Sequence, residues 1–155
     1  MQPRPLKARK AKLCEKVKEI LCRRKAAAVS LRYIFSELNQ VLRGWINYFR
    51  IGSMKTWLKN EFGPWLRHKV RVIILKQWKS PKTIYKNLMK LRRYLKSNIP
   101  AERVRGVANA RQGWYIRAKL PIVNFLLTPE ILAMENKKEN RPGLIDPLEY
   151  YLRYT

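Results

Sequence analysis

With 155 residues the chain is long enough to bury a continuous core, and a content of 46% apolar and 11% aromatic residues excludes a disordered basic tail as the whole of it. It carries 35 Lys/Arg against 10 Asp/Glu, a formal charge of +25 that works against a compact state unless a polyanion is often bound. The longest apolar run of the basic centre, Val72, Ile73, Ile74 and Leu75, is far too short to span a bilayer, and no apolar segment of signal-peptide length follows residues 1–12, so the sequence reads as intracellular.

In chain order, residues 1–11 make a flexible basic arm (Arg4, Lys7, Arg9, Lys10) expected to order on its polyanion. Residues 12–24 place Leu13, Val17, Ile20 and Leu21 on one side of a helix. Cys14 and Cys22 fall on different faces of that helix with no nearby His or further Cys, so they read as reduced thiols and not as a metal site. Ser30 is a good N-cap for a helix reaching about residue 50, with a stripe of Leu31, Ile34, Phe35, Leu38, Leu42, Trp45, Ile46 and Phe49. Gly44 interrupts that helix at a cost of about 1 kcal/mol relative to Ala; close packing of another helix against it would explain the choice.

A further helix begins near residue 53, and Pro64 opens or kinks its second part. Over residues 65–78 the apolar side chains surround the axis, the pattern of a buried helix at the centre of a bundle. Ser80 and Pro81 have the N-cap and N1 signature of a new helix. Over residues 81–95, Ile84, Leu88, Leu91 and Leu95 form one face, and Lys82, Lys86, Lys90 and Arg93 cluster on the opposite one. Pro100 opens another helix to about Gln112, and shorter pieces punctuated by Pro121, Pro129, Pro142 and Pro147 lead to residues 148–154, which close against the core. No run alternates with period two for long enough to argue a sheet. The fold class is all-α, a compact multi-helix bundle with a short, loop-rich C-terminal segment, and residues 12–155 form a single helical domain.

The charge is uneven. Residues 50–120 hold 19 Lys/Arg and 2 Glu, whereas residues 121–155 hold 4 Lys/Arg and 5 Asp/Glu. Four cations within an arc of about 80° on residues 81–95 repel one another, and no acid occurs between Glu61 and Glu102 to offset them. Ordinary solvated faces mix both signs, so this face points to a nucleic acid. Arg67 and Arg71 form a second i, i+4 pair, with Lys69 and Lys76 as an opposite ridge; an Arg at a partly buried site can instead hydrogen-bond helix C-terminal carbonyls. The scattered acids of the C-terminal part (Glu130, Glu135, Glu139, Asp146, Glu149) read as tethers of that segment to the basic body. No zinc finger, RNP aromatic signature or GXXG loop is visible, and composition leaves RNA, DNA and a ribosome-like scaffold open. Tyr85 and Tyr94, flanking the basic arc, are the candidates for base stacking. The sole histidine, His68, has no acid near in sequence to orient it and reads as a surface or packing residue. No catalytic motif, metal cluster or cofactor signature occurs, so no catalysis by the isolated chain is expected.

The segment LRGWINYFRIG from Leu42, followed by a tryptophan-led helix that ends in KQWKSPKTIYKNLMKL, resembles the maturase-specific domain, or domain X, of group II intron-encoded reverse transcriptases. The matching positions are Leu42, Arg43, Gly44, Trp45, Asn47, Tyr48 and Phe49, then Trp65, Leu66, Arg67, Arg71, Lys76, Gln77, Trp78, Lys79 and Pro81. A looser likeness continues through Arg111, Trp114, Pro121 and Leu132 to the closing LEYYLRY. The resemblance implies a thumb-like helical domain that helps an intron RNA fold for splicing, while the RNA performs the chemistry with Mg²⁺. It implies that Arg67, Arg71, Lys76, Lys79 and Lys82 face the intron, extended by Lys86, Lys90 and Arg93, and that Trp45, Tyr48, Phe49 and Trp78 are core. The polymerase part with its Tyr-x-Asp-Asp motif is missing, so reverse transcription is not expected of this chain. Two other functions stay open on the same residues: a polymerase thumb gripping primer-template beside the rest of a reverse transcriptase, and a sequence-blind cationic scaffold on RNA or DNA. The expected setting is a ribonucleoprotein in a bacterial cytoplasm.

Overall fold

A computed structural model of the chain describes residues 4–22, 26, 28–49 and 54–153, with side chains from residue 7 onward among them. Residues 1–3 of the expected arm, and the helix limits expected at residues 24, 50, 53 and 154, lie outside the described residues. In chain order the helices are α1 (Arg4–Ile20), α2 (Leu31–Phe49), α3 (Lys55–Trp57), a π turn (Leu58–Phe62), α4 (Gly63–Trp78), α5 (Pro81–Tyr94), α6 (Ala101–Ala108), α7 (Trp114–Arg117), α8 (Pro121–Leu126), α9 (Pro129–Ala133) and α10 (Pro147–Arg153). The only extended pairing among the described residues is an isolated antiparallel bridge between Asn136 and Arg141. The fold is all-α, as the periodicity requires, and no helix among the described residues is long and apolar enough to cross a membrane.

Two compact units divide the chain, Met1–Leu66 with Ala133–Thr155, and Arg67–Leu132. In the first, α1 packs on α2, and Leu13 and Val17 join Ile34, Phe35, Leu38, Leu42 and Ile46 in a core closed by Met54, Leu58 and Phe62. Each such side chain contributes roughly 1.5–3 kcal/mol when fully buried. α1 starts eight residues earlier than the apolar stripe suggests, so residues 4–11 are helical and not an arm. The reason is packing of cations on aromatic rings. The Arg9 guanidinium lies 5.0 Å from the Phe49 ring, the Lys10 ammonium lies 4.8 Å from the Trp57 ring, and Trp45 Nε1 donates to the Arg9 carbonyl at 3.2 Å. Burial pushes the Lys10 ammonium below its ordinary pKa, and Glu61 opposes that shift.

The C-terminal segment returns to α2 through one polar side chain. Asn39 is 3% exposed; its Nδ2 donates to the Gly143 carbonyl at 2.8 Å, and its Oδ1 accepts from the Ile145 N–H at 2.9 Å. Asp146 acts locally, accepting from the Leu148 and Glu149 N–H groups at the start of α10. Gly44 also departs from expectation: outside its own stretch of helix, no atom of the described residues lies within 4 Å of where its Cβ would stand, so no described helix packs there.

Pro64 does open the second part of its helix, as the second residue of α4. Its ring would press on the carbonyl four residues back, and the π turn Leu58–Phe62 takes up that misfit where α3 runs into α4. From Arg67 onward the second unit is built on the buried run Val70 to Leu75, with Ile84 and Leu88 of α5, Val104, Val107 and Ala108 of α6, and Val123 and Leu126 of α8. α6 ends at Ala108, four residues before the expected Gln112, because Asn109 closes it with Nδ2 donating to the Arg105 carbonyl at 2.9 Å.

Candidate nucleic-acid interface

The second unit holds 16 Lys/Arg and only two acids, Glu102 and Glu130, over Arg67–Leu132. Its arginines and lysines divide by task. Arg71 is 7% exposed and its Nε donates to the Leu127 carbonyl, just past α8, at 2.8 Å. Arg117 is equally buried, and one of its terminal nitrogens donates to the Ala108 carbonyl at 2.8 Å, at the C-terminus of α6. Arg92 donates to the Ile99 carbonyl. Arg71 and Arg117 thereby satisfy carbonyls that short helices leave open at their C-termini, and Arg92 the carbonyl just before the N-cap of α6. Burial pushes Arg71 down to about 10, with the nearby Arg67 charge adding to the shift, and burial alone lowers Arg117. Arg71 faces inward, within the buried run from Val70 to Leu75, and its guanidinium is held by a backbone carbonyl.

The lysines point the other way. On α5, Ser80 is the N-cap, its Oγ accepting from the Thr83 N–H at 3.2 Å, and Pro81 supplies the pre-set first position. Ile84 and Leu88 are buried, while Lys82, Lys86, Lys90 and Arg93 are all exposed. Lys82 to Lys90 covers about 12 Å of helix at 1.5 Å per residue, a row of cations wide enough to meet several phosphates. Lys79 is exposed too, at the corner between α4 and α5. Its φ of 60° is left-handed, and it closes α4 by donating its N–H to the Leu75 carbonyl at 3.2 Å. Glycine is the usual residue for that cap, so a lysine there carries backbone strain at the edge of the cationic row. Lys79→Gly should raise folding stability by about 0.5–1 kcal/mol; a urea titration showing a stability loss would contradict this.

Arg67 and Lys76 are half-buried on α4. Exposed cations not named as contacts from the sequence join the unit from α6 and the following turns: Arg103, Arg105, Arg111 and Lys119. Their signal was the low acid content of residues 96–120, spread over short helices without a periodic face. Arg105 lies 5.3 Å from the Tyr85 ring, so the tyrosine expected to stack on bases is half-buried against a neighbouring cation. Tyr94 is 61% exposed. His68 packs edge-on against Tyr115 at 4.4 Å, taking the packing role of the two expected. No group of three or more His, Cys, Asp or Glu that could hold a metal occurs among the described residues. Cys14 and Cys22 are not joined in a disulfide.

The family model for the group II intron maturase-specific domain matches residues 10–95, more than half of the chain, from within α1 through the end of α5. The chain belongs to the group II intron maturase-specific domain family. No curated protein matches it. The basic row of α5 lies inside the span that defines the maturase-specific domain, whereas α6 to α10 lie beyond it. Of the motif aromatics expected in the core of this domain, Trp45, Phe49 and Trp78 are half-buried, and Tyr48 is 71% exposed. Tyr48 is thus a surface residue, set about 200° around α2 from the buried Ile46.

Proposed function

We propose that the chain is an RNA-binding maturase-type domain that binds and stabilises group II intron RNA to assist its splicing, with the RNA performing the chemistry. The observation that carries this reading is the row Lys79, Lys82, Lys86, Lys90 and Arg93, exposed together and without an acidic residue among them, in a member of a family tied to group II introns. Arg67 and Lys76 stand at its margin, and Arg71 supports it from within by holding the Leu127 carbonyl. Lysine suits this task, since its ammonium neutralises phosphate as a compact, strongly hydrated point charge without demanding one geometry. Recognition of a folded intron then comes from matching the spacing of phosphates brought close by RNA tertiary structure. The chain contributes binding energy, and it works in a cytoplasmic ribonucleoprotein.

Photo-crosslinking to a folded group II intron RNA, followed by peptide mapping, tests the assignment. Adducts should concentrate on residues 79–93. Adducts confined to α9 and α10 would overturn it.

A further inference from the structure

The basic row of α5 leaves one exposed stripe of the chain unexplained. Along α2, Gln40, Arg43, Gly44, Asn47 and Tyr48 are all exposed, at i, i+3, i+4, i+7 and i+8. Two features of this stripe point to a ligand outside the chain. Gly44 sits in the middle of a 19-residue helix, where glycine weakens the helix, yet beyond its own stretch of helix a Cβ there would meet no atom of the described residues within 4 Å. Tyr48 leaves most of its ring to solvent, while Phe49, 4.7 Å away and edge-on, holds it upright. The Arg9 guanidinium of α1 stands 5.9 Å from the same ring. Asn47 is fixed in place by Tyr150, whose hydroxyl donates to Asn47 Oδ1 at 3.1 Å.

The geometry points to a second RNA-contact face on α2, where the sugar-phosphate edge of a strand lies against Gly44 and an unstacked base rests on Tyr48 between Phe49 and Arg9. Glycine gives what a strand needs at that point, an approach to the helix backbone with no side chain between. Arg43 and Arg9 supply phosphate contacts, and Gln40 offers a donor and an acceptor of the kind that reads a 2′-hydroxyl or a base edge. RNA is favoured over a protein partner by charge: Arg43 lies in the stripe with Arg9 beside it, and no acidic residue occurs from Gln40 to Tyr48. Glu37 lies seven residues before Gly44, about 10 Å along the helix, and marks the limit of the face. This inference rests on the reading of the chain as an RNA-binding domain and adds a site in the first compact unit to the one on α5.

Gly44→Gln and Tyr48→Ala, each measured for thermal midpoint and for Kd on a folded group II intron RNA, test it. Gly44→Gln puts a helix-favouring side chain into open space, so its midpoint should hold or rise while its Kd rises about tenfold or more. Tyr48→Ala should weaken binding by about tenfold through loss of base stacking. Lys86→Glu with Lys90→Glu runs beside them as the probe of the α5 row. If both α2 variants bind within twofold of wild type while the α5 variant is weakened, the α2 face is wrong and the RNA-binding reading stands. If wild type shows no affinity for the RNA, both fall. Unchanged RNA affinity together with lost association with a polymerase portion supplied in trans would give the face to a protein and overturn the assignment to RNA.

Discussion

Replacing Asn39 by Leu should lower folding stability by about 2–4 kcal/mol, although Leu is similar in size and more apolar. Asn39 is the one polar residue in the buried stripe of α2 that runs through Phe35, Leu38, Leu42 and Ile46. Both ends of its amide are engaged, with the Gly143 carbonyl and the Ile145 N–H. Leu would orphan those two backbone groups, each at about 1–3 kcal/mol, and its extra apolar area offsets only part of that. The same junction leaves no room elsewhere: a Cβ on Gly143 would stand 1.8 Å from the Ala133 carbonyl oxygen, so the backbone itself must move to accept any side chain there. Urea unfolding followed by circular dichroism measures the loss. A stability within 0.5 kcal/mol of wild type would mean that residues 143–145 hold to the first unit by apolar contact alone.

Asn39 also shows where sequence reading stops. A lone amide inside an apolar stripe was a visible sign of a buried polar contact, but its partners lie 104 and 106 residues away, beyond any local pattern. The helices themselves were legible because each carries its own period: the centres of the α2 and α5 stripes, Ile34 to Leu42 with Ile46, and Ile84 with Leu88, are buried, while their ends are half-buried. Tyr48 was legible in principle, since its position relative to Ile46 turns it out of the core; its motif neighbours Trp45 and Phe49 drew it inward. Arg71 was half legible. Its place within the all-round apolar run from Val70 to Leu75 marks a buried site, while the carbonyl that receives it belongs to a helix terminus 56 residues on. The early start of α1 could not be read from periodicity, because Arg9 and Lys10 pack as cations on aromatic rings and no apolar stripe records that.

Reversing two charges on α5, Lys86→Glu with Lys90→Glu, should weaken RNA binding by about tenfold or more near 0.15 M salt and reduce the slope of log K on log salt by about 2. Both side chains are exposed on the face opposite Ile84 and Leu88, so the change removes phosphate contacts without touching the core. The helix should not suffer. Glu at 86 follows Lys82 by four residues and Glu at 90 precedes Arg93 by three, and each new opposite-charge pair is worth a few tenths of a kcal/mol where like charges stood before. The thermal midpoint should therefore stay level or rise slightly. An unchanged Kd with an unchanged salt slope would remove α5 from the interface.

The central claim is that this maturase-specific domain recognises the shape of a folded intron and not phosphate charge alone. A salt titration of binding to a folded group II intron RNA, beside an unrelated structured RNA and a DNA duplex of matched length, tests it most directly. The account predicts a preference of tenfold or more for the intron that survives as salt is raised and the slopes common to all three weaken binding. Equal affinities for the three at physiological salt, falling together along one steep slope, would contradict it and leave a polycationic scaffold.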